Sequence, residues 1–176
     1  MAGEGVETTK EFVARGGSNL GICAGAYFAS GRVKFKERTA VEVDETQDLG
    51  FLPGTAFGTV FREAFEYNSE EGACAANLEM FESSQLHVYY NGGCAFLDAE
   101  KFRNIEIDAR YEDLRDRPAA VIKTRFGLGR VVLSGVHGEV GAEGERGIGT
   151  AEDVVQRLEI GEKAIHDFAR MLVDFI

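Results

Sequence analysis

Short apolar runs, most of them alternating with polar residues, recur along the chain and predict a β-sheet flanked by helices. Apolar, β-branched or aromatic residues at every second position are typical of strands that are buried on one face. The segments with strand character are 19–22, 32–37, 39–44, 74–81, 85–90, 94–97, 105–112, 119–126 and 130–136. The GLG segment at 127–129 predicts a hairpin between the last two strands.

Three other segments are predicted to be helices. A helix over Thr8–Arg15 has Thr8 or Thr9 as its N-cap and ends at the two glycines that follow, and a short helix covers 24–30. The C-terminal segment 160–176 predicts an amphipathic helix that closes over the sheet. Its apolar face comprises Ile160, Ala164, Ile165, Phe168, Leu172 and Phe175.

Two segments are predicted to be loops. The segment LPGTAFG at 52–58 contains the turn dipeptide Pro53-Gly54. The segment 138–151 is rich in glycine and charge, which favours an unpacked surface loop beside a site.

The composition fits one α/β domain over residues 1–176, because 44% hydrophobic residues suffice for a core at this length. The formal net charge of −11 would repel phosphate backbones and anionic lipids, so we expect no nucleic-acid or membrane binding. No apolar run reaches the roughly 18 residues of a membrane span. The polar N-terminus resembles neither a signal nor a transit peptide, so we expect a cytoplasmic protein.

The three cysteines, Cys23, Cys74 and Cys94, cannot all pair with one another and lack the spacing of zinc ligands. We therefore expect free thiols in a reducing compartment, and neither a metal nor another cofactor.

Cys23 has surroundings that favour a nucleophile. It lies where the predicted strand 19–22 turns into a helix, with Gly21 and Gly25 on either side. A nucleophile at such a turn sits in a strained backbone, and neighbouring glycines relieve crowding. The start of the helix would stabilise a thiolate, and the N–H group of Ala24 would point at an oxyanion on the substrate. A cysteine is also often a small core residue, so the assignment requires a base.

His137 is the candidate base. His87 lies within a predicted strand and His166 within a predicted helix, whereas His137 follows the carboxyl end of an apolar strand, where α/β sheets place their sites. In an extended backbone Glu139 faces the same side as His137. Its carboxylate could fix the tautomer of the imidazole and leave the other ring nitrogen for Cys23. The alternative is a loop histidine near a solvated acid.

Together these segments resemble the class I glutamine amidotransferase-like family, and within it the branch formed by the N-terminal domain of biotin–protein ligases and its stand-alone relatives. The resemblance runs from about Phe12 to the end and rests on GGSNLGICAGAYFAS, LGFLPGTAFG, VYYNGG, ARYED and GRVVLSGVHGE. It implies an α/β, flavodoxin-like three-layer fold, truncated at the N-terminus, with antiparallel additions late in the sheet.

The resemblance also implies roles for particular residues. Cys23 matches the nucleophile, His137 the base, Glu139 the orienting acid and Ala24 the residue whose amide supplies one oxyanion donor. The candidates for contact with a substrate are Gly21, Gly25, Tyr27, Asn91 and Gly92.

This chain departs from the family pattern in two places. Gly138 stands where the family usually has proline, and a glycine would loosen the pair formed by His137 and Glu139. Relatives also begin with strands and a glycine-rich loop that supplies a second oxyanion donor, whereas only a polar segment precedes the first helix here. The strand 19–22, which leads into Cys23, would then have one edge without a neighbouring strand. We expect a homodimer through that edge, another polypeptide covering it, or an upstream segment of the same gene product.

Three functions remain open at this point. The preferred one is a regulatory or interaction module, for example in biotin–protein ligation, with weak or no catalysis, because loss of one oxyanion donor slows turnover about 10²–10³-fold. The second is a Cys-His-Glu hydrolase or amidotransferase acting on an amide such as glutamine, which would feed ammonia to a synthetase partner. The third is a redox-sensing cysteine protein, which would need no second oxyanion donor.

Overall fold

Ten strands form one mixed sheet in the computed structural model, which describes residues 3–37, 39–61, 65–81, 84–145 and 150–176. The strands are β1 (Ser18–Ile22), β2 (Ser30–Phe35), β3 (Val43–Thr46), β4 (Leu52–Gly58), β5 (Cys74–Met80), β6 (Gln85–Tyr90), β7 (Ala95–Leu97), β8 (Ile105–Tyr111), β9 (Ala119–Phe126) and β10 (Gly129–Ser134). The α-helices are α1 (Glu4–Ala14), α2 (Ala24–Ala29), α3 (Ala142–Glu145), α4 (Glu152–Ile160) and α5 (Glu162–Asp174).

The sheet has two sections. One runs in the order β6-β5-β8-β9-β10-β1, and the other, β3-β2-β4-β7, joins it where Phe96 of β7 pairs with Ala119 of β9. β1 runs parallel to β10 and β2 parallel to β4, while the later strands pair in antiparallel fashion, as the sequence predicts. Among the described strands, β1 pairs with β10 alone.

Helices cover both faces of the sheet and give a three-layered α/β fold. The alternation along β10 shows this arrangement, because Val132 belongs to one apolar cluster while Val131 and Leu133 belong to another. The first cluster contains residues of α4 and α5, and the second contains residues of α1 and α2. The predicted fold class is confirmed.

The first helix begins earlier than predicted. α1 starts at Glu4 with Gly3 in extended conformation as its N-cap, so the assignment of Thr8 or Thr9 as N-cap is wrong. Both threonine hydroxyls instead donate to the carbonyl four residues earlier, at 2.9 and 2.8 Å. The acidic first turn suits the positive end of the helix dipole, which accounts for the earlier start.

The segment LPGTAFG is a strand rather than a loop. β4 pairs with β2, and the register shifts by one residue between the pairs Ser30–Leu52 and Arg32–Thr55. Pro53 and Gly54 lie in this bulge, where a missing backbone N–H costs little. The turn signal therefore marks an irregularity within a strand.

The C-terminal region contains two helices where one was predicted. α4 ends at Ile160, whose side chain is 89% exposed, and Ala164 is also exposed, so neither belongs to the buried face. Ile165, Phe168 and Leu172 are buried as predicted.

The predicted loop over 138–151 contains a short helix, α3, with Ala142 and Glu145 buried; its residues 146–149 lie outside the described parts of the chain. No helix among the described residues is long and apolar enough to cross a membrane.

Candidate active site

The carboxyl ends of β1 and β10 and the end of β6 meet at one edge of the sheet. Because β1 and β10 are parallel, Ile22 lies beside Ser134, and the next amide, that of Cys23, donates to the Ser134 carbonyl at 2.9 Å. Just beyond β10, the His137 amide donates to the Tyr89 carbonyl of β6, also at 2.9 Å. These backbone bonds place residues from distant parts of the sequence in one site.

Cys23 occupies a backbone conformation that is unusual for a residue with a side chain, with φ at 49° and ψ at −107°. Such a conformation costs about 1–3 kcal/mol and is found where a nucleophile is held at a sharp turn. A Cβ at Gly21 would lie 2.8 Å from the carbonyl oxygen of Gly25 and 3.0 Å from the Leu133 side chain. At Gly25 a Cβ would meet nothing within 4 Å, so only Gly21 relieves crowding at the elbow.

The Cys23 thiol has two polar neighbours. It lies 3.7 Å from the carbonyl oxygen of Asn91, which can accept its hydrogen, and it is close enough to His137 to raise the pKa of the imidazole. On its other side, His137 Nδ1 lies 2.7 Å from Oε1 of Glu139. The structure therefore brings the three residues Cys23, His137 and Glu139 together in the order that the sequence predicts.

The environment of His137 favours the imidazolium. Burial lowers its pKa, but the interactions with Cys23 and Glu139 raise it by more, so the pKa rises from 6.5 to about 9. For Glu139, burial favours the neutral acid, but the hydrogen bond from His137 leaves the pKa of the carboxyl below its ordinary value. At neutral pH the pair is therefore an imidazolium hydrogen-bonded to a carboxylate.

Gly138 does not loosen this pair. A Cβ at that position would lie 2.7 Å from the ring of Phe168 and 3.3 Å from the Leu172 side chain, both on α5. The closely packed helix requires a glycine there, and the His137–Glu139 bond forms nonetheless. The expectation of a loose pair is wrong, because packing rather than a proline ring confines the backbone.

The other two cysteines differ sharply from Cys23 in their surroundings. Burial raises the pKa of Cys74 to about 12, and full burial raises the pKa of Cys94 well above its ordinary value. Both side chains therefore remain thiols at neutral pH, and neither is a candidate nucleophile.

The Ala24 amide is available to a ligand. It is the first amide of α2, and among the residues that the structure describes neither it nor the Gly25 amide has an intramolecular acceptor. Ala24 also lines a pocket that opens beside Cys23. A backbone N–H next to the nucleophile is the arrangement that stabilises an oxyanion.

The pocket beside Cys23 has a volume of about 250 Å³. Tyr27, Asn91 and Gly92 line it, whereas Gly21 and Gly25 are not part of its wall. The Tyr27 hydroxyl donates to the carbonyls of Gly92 and the following glycine, at 3.1 and 2.9 Å. Burial raises the pKa of Tyr27 well above its ordinary value, so the hydroxyl stays protonated and holds this loop in place.

The remaining described residues of the wall were not predicted from the sequence. They come from β2, from β3 and from the segment after residue 64, and they are Val33, Phe35, Val43, Phe65 and Tyr67. The aromatic residues at 61, 65 and 67 were the available signal, but nothing local connects them to Cys23. Within the described parts of the chain, no three His, Cys, Asp or Glu side chains are grouped as metal ligands.

The fold is similar to the class I glutamine amidotransferase-like fold. The structure is similar to a crystal structure of a glutamine amidotransferase, with a TM-score of 0.50 and 20% identity, over 75% of this chain and 58% of that one. The family model described as "Biotin-protein ligase, N terminal" matches residues 1–175. The chain belongs to this family.

Two curated relatives extend the comparison. The chain is 42% identical over 138 residues to an uncharacterized protein of Chlamydia muridarum. The matched region is 78% of this chain and 53% of that protein. It is 41% identical over 140 residues to a biotin–protein ligase of Schizosaccharomyces pombe, over 76% of this chain and 22% of the ligase. The chain thus matches about half of one relative and about a fifth of the other.

Proposed function

We propose that the protein is a cysteine-dependent acyl-transfer enzyme that hydrolyses an amide or a related acyl compound through Cys23. The observation that carries the proposal is the strand-end site that brings Cys23 beside His137, whose ring is hydrogen-bonded to Glu139. A nucleophile held by a base, and a base oriented by a third group, is the arrangement that nucleophilic catalysis requires.

The reaction would proceed in two steps. The Cys23 thiolate attacks the acyl carbon, the C–N bond breaks, and the His137 imidazolium donates the proton with which the amine leaves. The neutral imidazole then takes a proton from water, and the resulting hydroxide attacks the thioester. The products are a carboxylic acid, an amine and the original thiolate with its imidazolium, so one water is consumed in each cycle.

Ala24 supplies the oxyanion donor in this proposal. Its amide has no acceptor among the described residues and lies next to the nucleophile. Among the described residues we assign this one donor, and loss of one donor from an oxyanion hole slows turnover about 10²–10³-fold. We therefore expect slow catalysis, with a thioester that persists long enough to be trapped.

Alkylation tests the reactivity of Cys23. Iodoacetamide at pH 7 should label Cys23 at least tenfold faster than Cys74, because burial keeps Cys74 as a thiol. His137→Ala should slow this labelling about tenfold or more, and Glu139→Gln should slow it less. The exposed helix residue His166 gives a matched control, and His166→Ala should leave the rate unchanged.

Turnover tests the acyl transfer itself. With a p-nitrophenyl ester, wild-type protein should release a burst of nitrophenol equal to the protein concentration, and mass spectrometry should show the acyl group on Cys23. His137→Ala should reduce the slow phase about 100-fold, the usual size of a general acid–base contribution. The proposal would be rejected if His137→Ala left the labelling rate of Cys23 unchanged. It would also be rejected if hydrogen peroxide oxidised Cys23 while no acyl-enzyme formed, a result that would favour a redox role.

A second candidate is an interaction module, and the edge of β1 favours it. Among the described strands β1 pairs with β10 alone, and its other edge offers backbone groups to a further strand. A second copy of the chain or the catalytic part of a biotin–protein ligase would be the partner. Sedimentation at low micromolar concentration should show a dimer if the chain pairs with itself, and a stable monomer would exclude that form of the candidate.

A further inference from the structure

We propose that the acyl group accepted beside Cys23 is apolar, of the size of a benzyl or short branched alkyl group, and not the charged skeleton of glutamine. This inference rests on the proposed function, because it names the substrate class of the same nucleophile. It comes from the wall of the pocket rather than from the catalytic residues.

Four aromatic rings form a continuous wall on one side of the pocket. The ring centroids of Tyr27 and Phe35 are 5.6 Å apart, those of Phe35 and Phe65 are 5.7 Å apart, and those of Phe65 and Tyr67 are 5.3 Å apart. The planes of these neighbours meet at 87°, 88° and 75°, which is the edge-to-face geometry that aromatic pairs prefer. The rings support one another, so the wall is fixed before a ligand binds.

The rest of the described wall is also uncharged. Val33 and Val43 complete the apolar side, and Asn91 supplies the polar groups near the thiol. No Asp, Glu, Lys or Arg belongs to the wall among the described residues. The Lys36 ammonium lies 5.4 Å from the centre of the Phe65 ring, but Lys36 is not part of the pocket wall.

A glutamine substrate would bring a carboxylate and an ammonium into this pocket. Burying a charge without a partner is strongly unfavourable, whereas burying a benzyl group removes apolar surface from water. An apolar cavity of about 150 Å³ holds a benzene molecule. The 250 Å³ here therefore suffices for a ring together with the acyl carbon that Cys23 attacks.

Alkylation rates with matched reagents test the preference. 1-Chloro-3-phenylpropan-2-one, chloroacetone and the chloroketone analogue of glutamine carry a benzyl group, a methyl group and the glutamine skeleton on the acyl side, and each forms a carbon–sulfur bond with the thiolate and releases chloride. Each rate is divided by the rate of the same reagent with glutathione. We expect this relative rate to be about tenfold higher for the benzyl reagent than for the other two, because most of its ring is buried in the pocket. A benzyl advantage below twofold, or a faster reaction with the glutamine analogue, would overturn the proposal.

Two valine variants separate the pocket from general effects. Val43→Asp places a carboxylate in the wall and should lower the ratio of the benzyl-reagent rate to the chloroacetone rate to about one. Val41→Asp is the matched control, since Val41 is 45% exposed and lies outside the pocket, and it should preserve the advantage. If Val43→Asp slows both reagents equally, the pocket does not select the acyl group.

A binding measurement keeps this inference separate from the proposed catalysis. In Cys23→Ser, phenylacetamide should produce saturable NMR shifts of the Tyr27 and Phe35 rings, and Val43→Asp should abolish them. If these shifts appear but His137→Ala leaves the labelling rate of Cys23 unchanged, the apolar pocket is supported and the proposed catalysis is rejected. Their absence would overturn the pocket even if Cys23 proves to be a nucleophile.

Discussion

The ionisation of His137 provides a direct test of the site. Burial alone would lower its pKa below the ordinary 6.5. Its interactions with Cys23 and Glu139 instead raise the pKa to about 9. One pKa unit corresponds to about 1.4 kcal/mol, so the two partners together outweigh burial by roughly 3 kcal/mol. Removal of both partners should reverse the direction of the shift.

Titration of the imidazole carbon signal by NMR measures this effect. Wild-type protein should give a pKa for His137 near 9, and Cys23→Ser and Glu139→Gln should each lower it. The double variant should titrate below 6.5, because burial then acts alone. A wild-type value at or below 6.5 would refute the reasoning, since it would mean that neither partner contacts the ring in solution.

The same titration has a consequence for stability. Because the folded-state pKa of His137 lies above the unfolded one, its contribution is complete below pH 6.5 and is lost as pH rises through about 9. The difference in free energy of unfolding between wild type and His137→Ala should therefore shrink by up to about 3 kcal/mol over that interval. Glu139 acts in the opposite sense, and its contribution is lost as pH falls through its lowered pKa.

Two further predictions concern the packing around the site. Gly21→Ala should lower the free energy of unfolding by about 1–3 kcal/mol, because the new Cβ would lie within 3 Å of backbone atoms. Gly25→Ala should be neutral or should raise the free energy of unfolding by up to about 1 kcal/mol, because its Cβ would meet nothing within 4 Å. Equal midpoints of urea unfolding for the two variants would contradict this difference. Tyr27→Phe should cost about 1–2 kcal/mol, because the Gly92 carbonyl loses its hydroxyl donor, whereas the Gly93 carbonyl still accepts from the Tyr90 hydroxyl. Tyr67→Phe, at a side chain that is 62% exposed, should cost almost nothing in the same urea titration.

The elbow and the His-x-Glu pair could be predicted because each depends on local rules. A glycine before a cysteine at a strand end, and two residues on one side of an extended segment, are visible within five positions of sequence. The dipeptide Pro53-Gly54 predicted a loop, but such a turn dipeptide can also lie in a bulge within a strand, as it does here. The aromatic wall was not predicted, because Phe35 and Phe65 meet only after the sheet has formed.

The separation of the site's parts along the chain makes the site a late product of folding. β1 is made early, yet its one strand neighbour among the described residues is β10, the last strand of the sheet, and the Cys23–Asn91 contact spans 68 residues. Contacts between such distant segments form slowly, after shorter-range structure. A growing chain would therefore hold Cys23 and His137 apart until β10 docks. Any event that later separates β10 from β1 would part these two residues again.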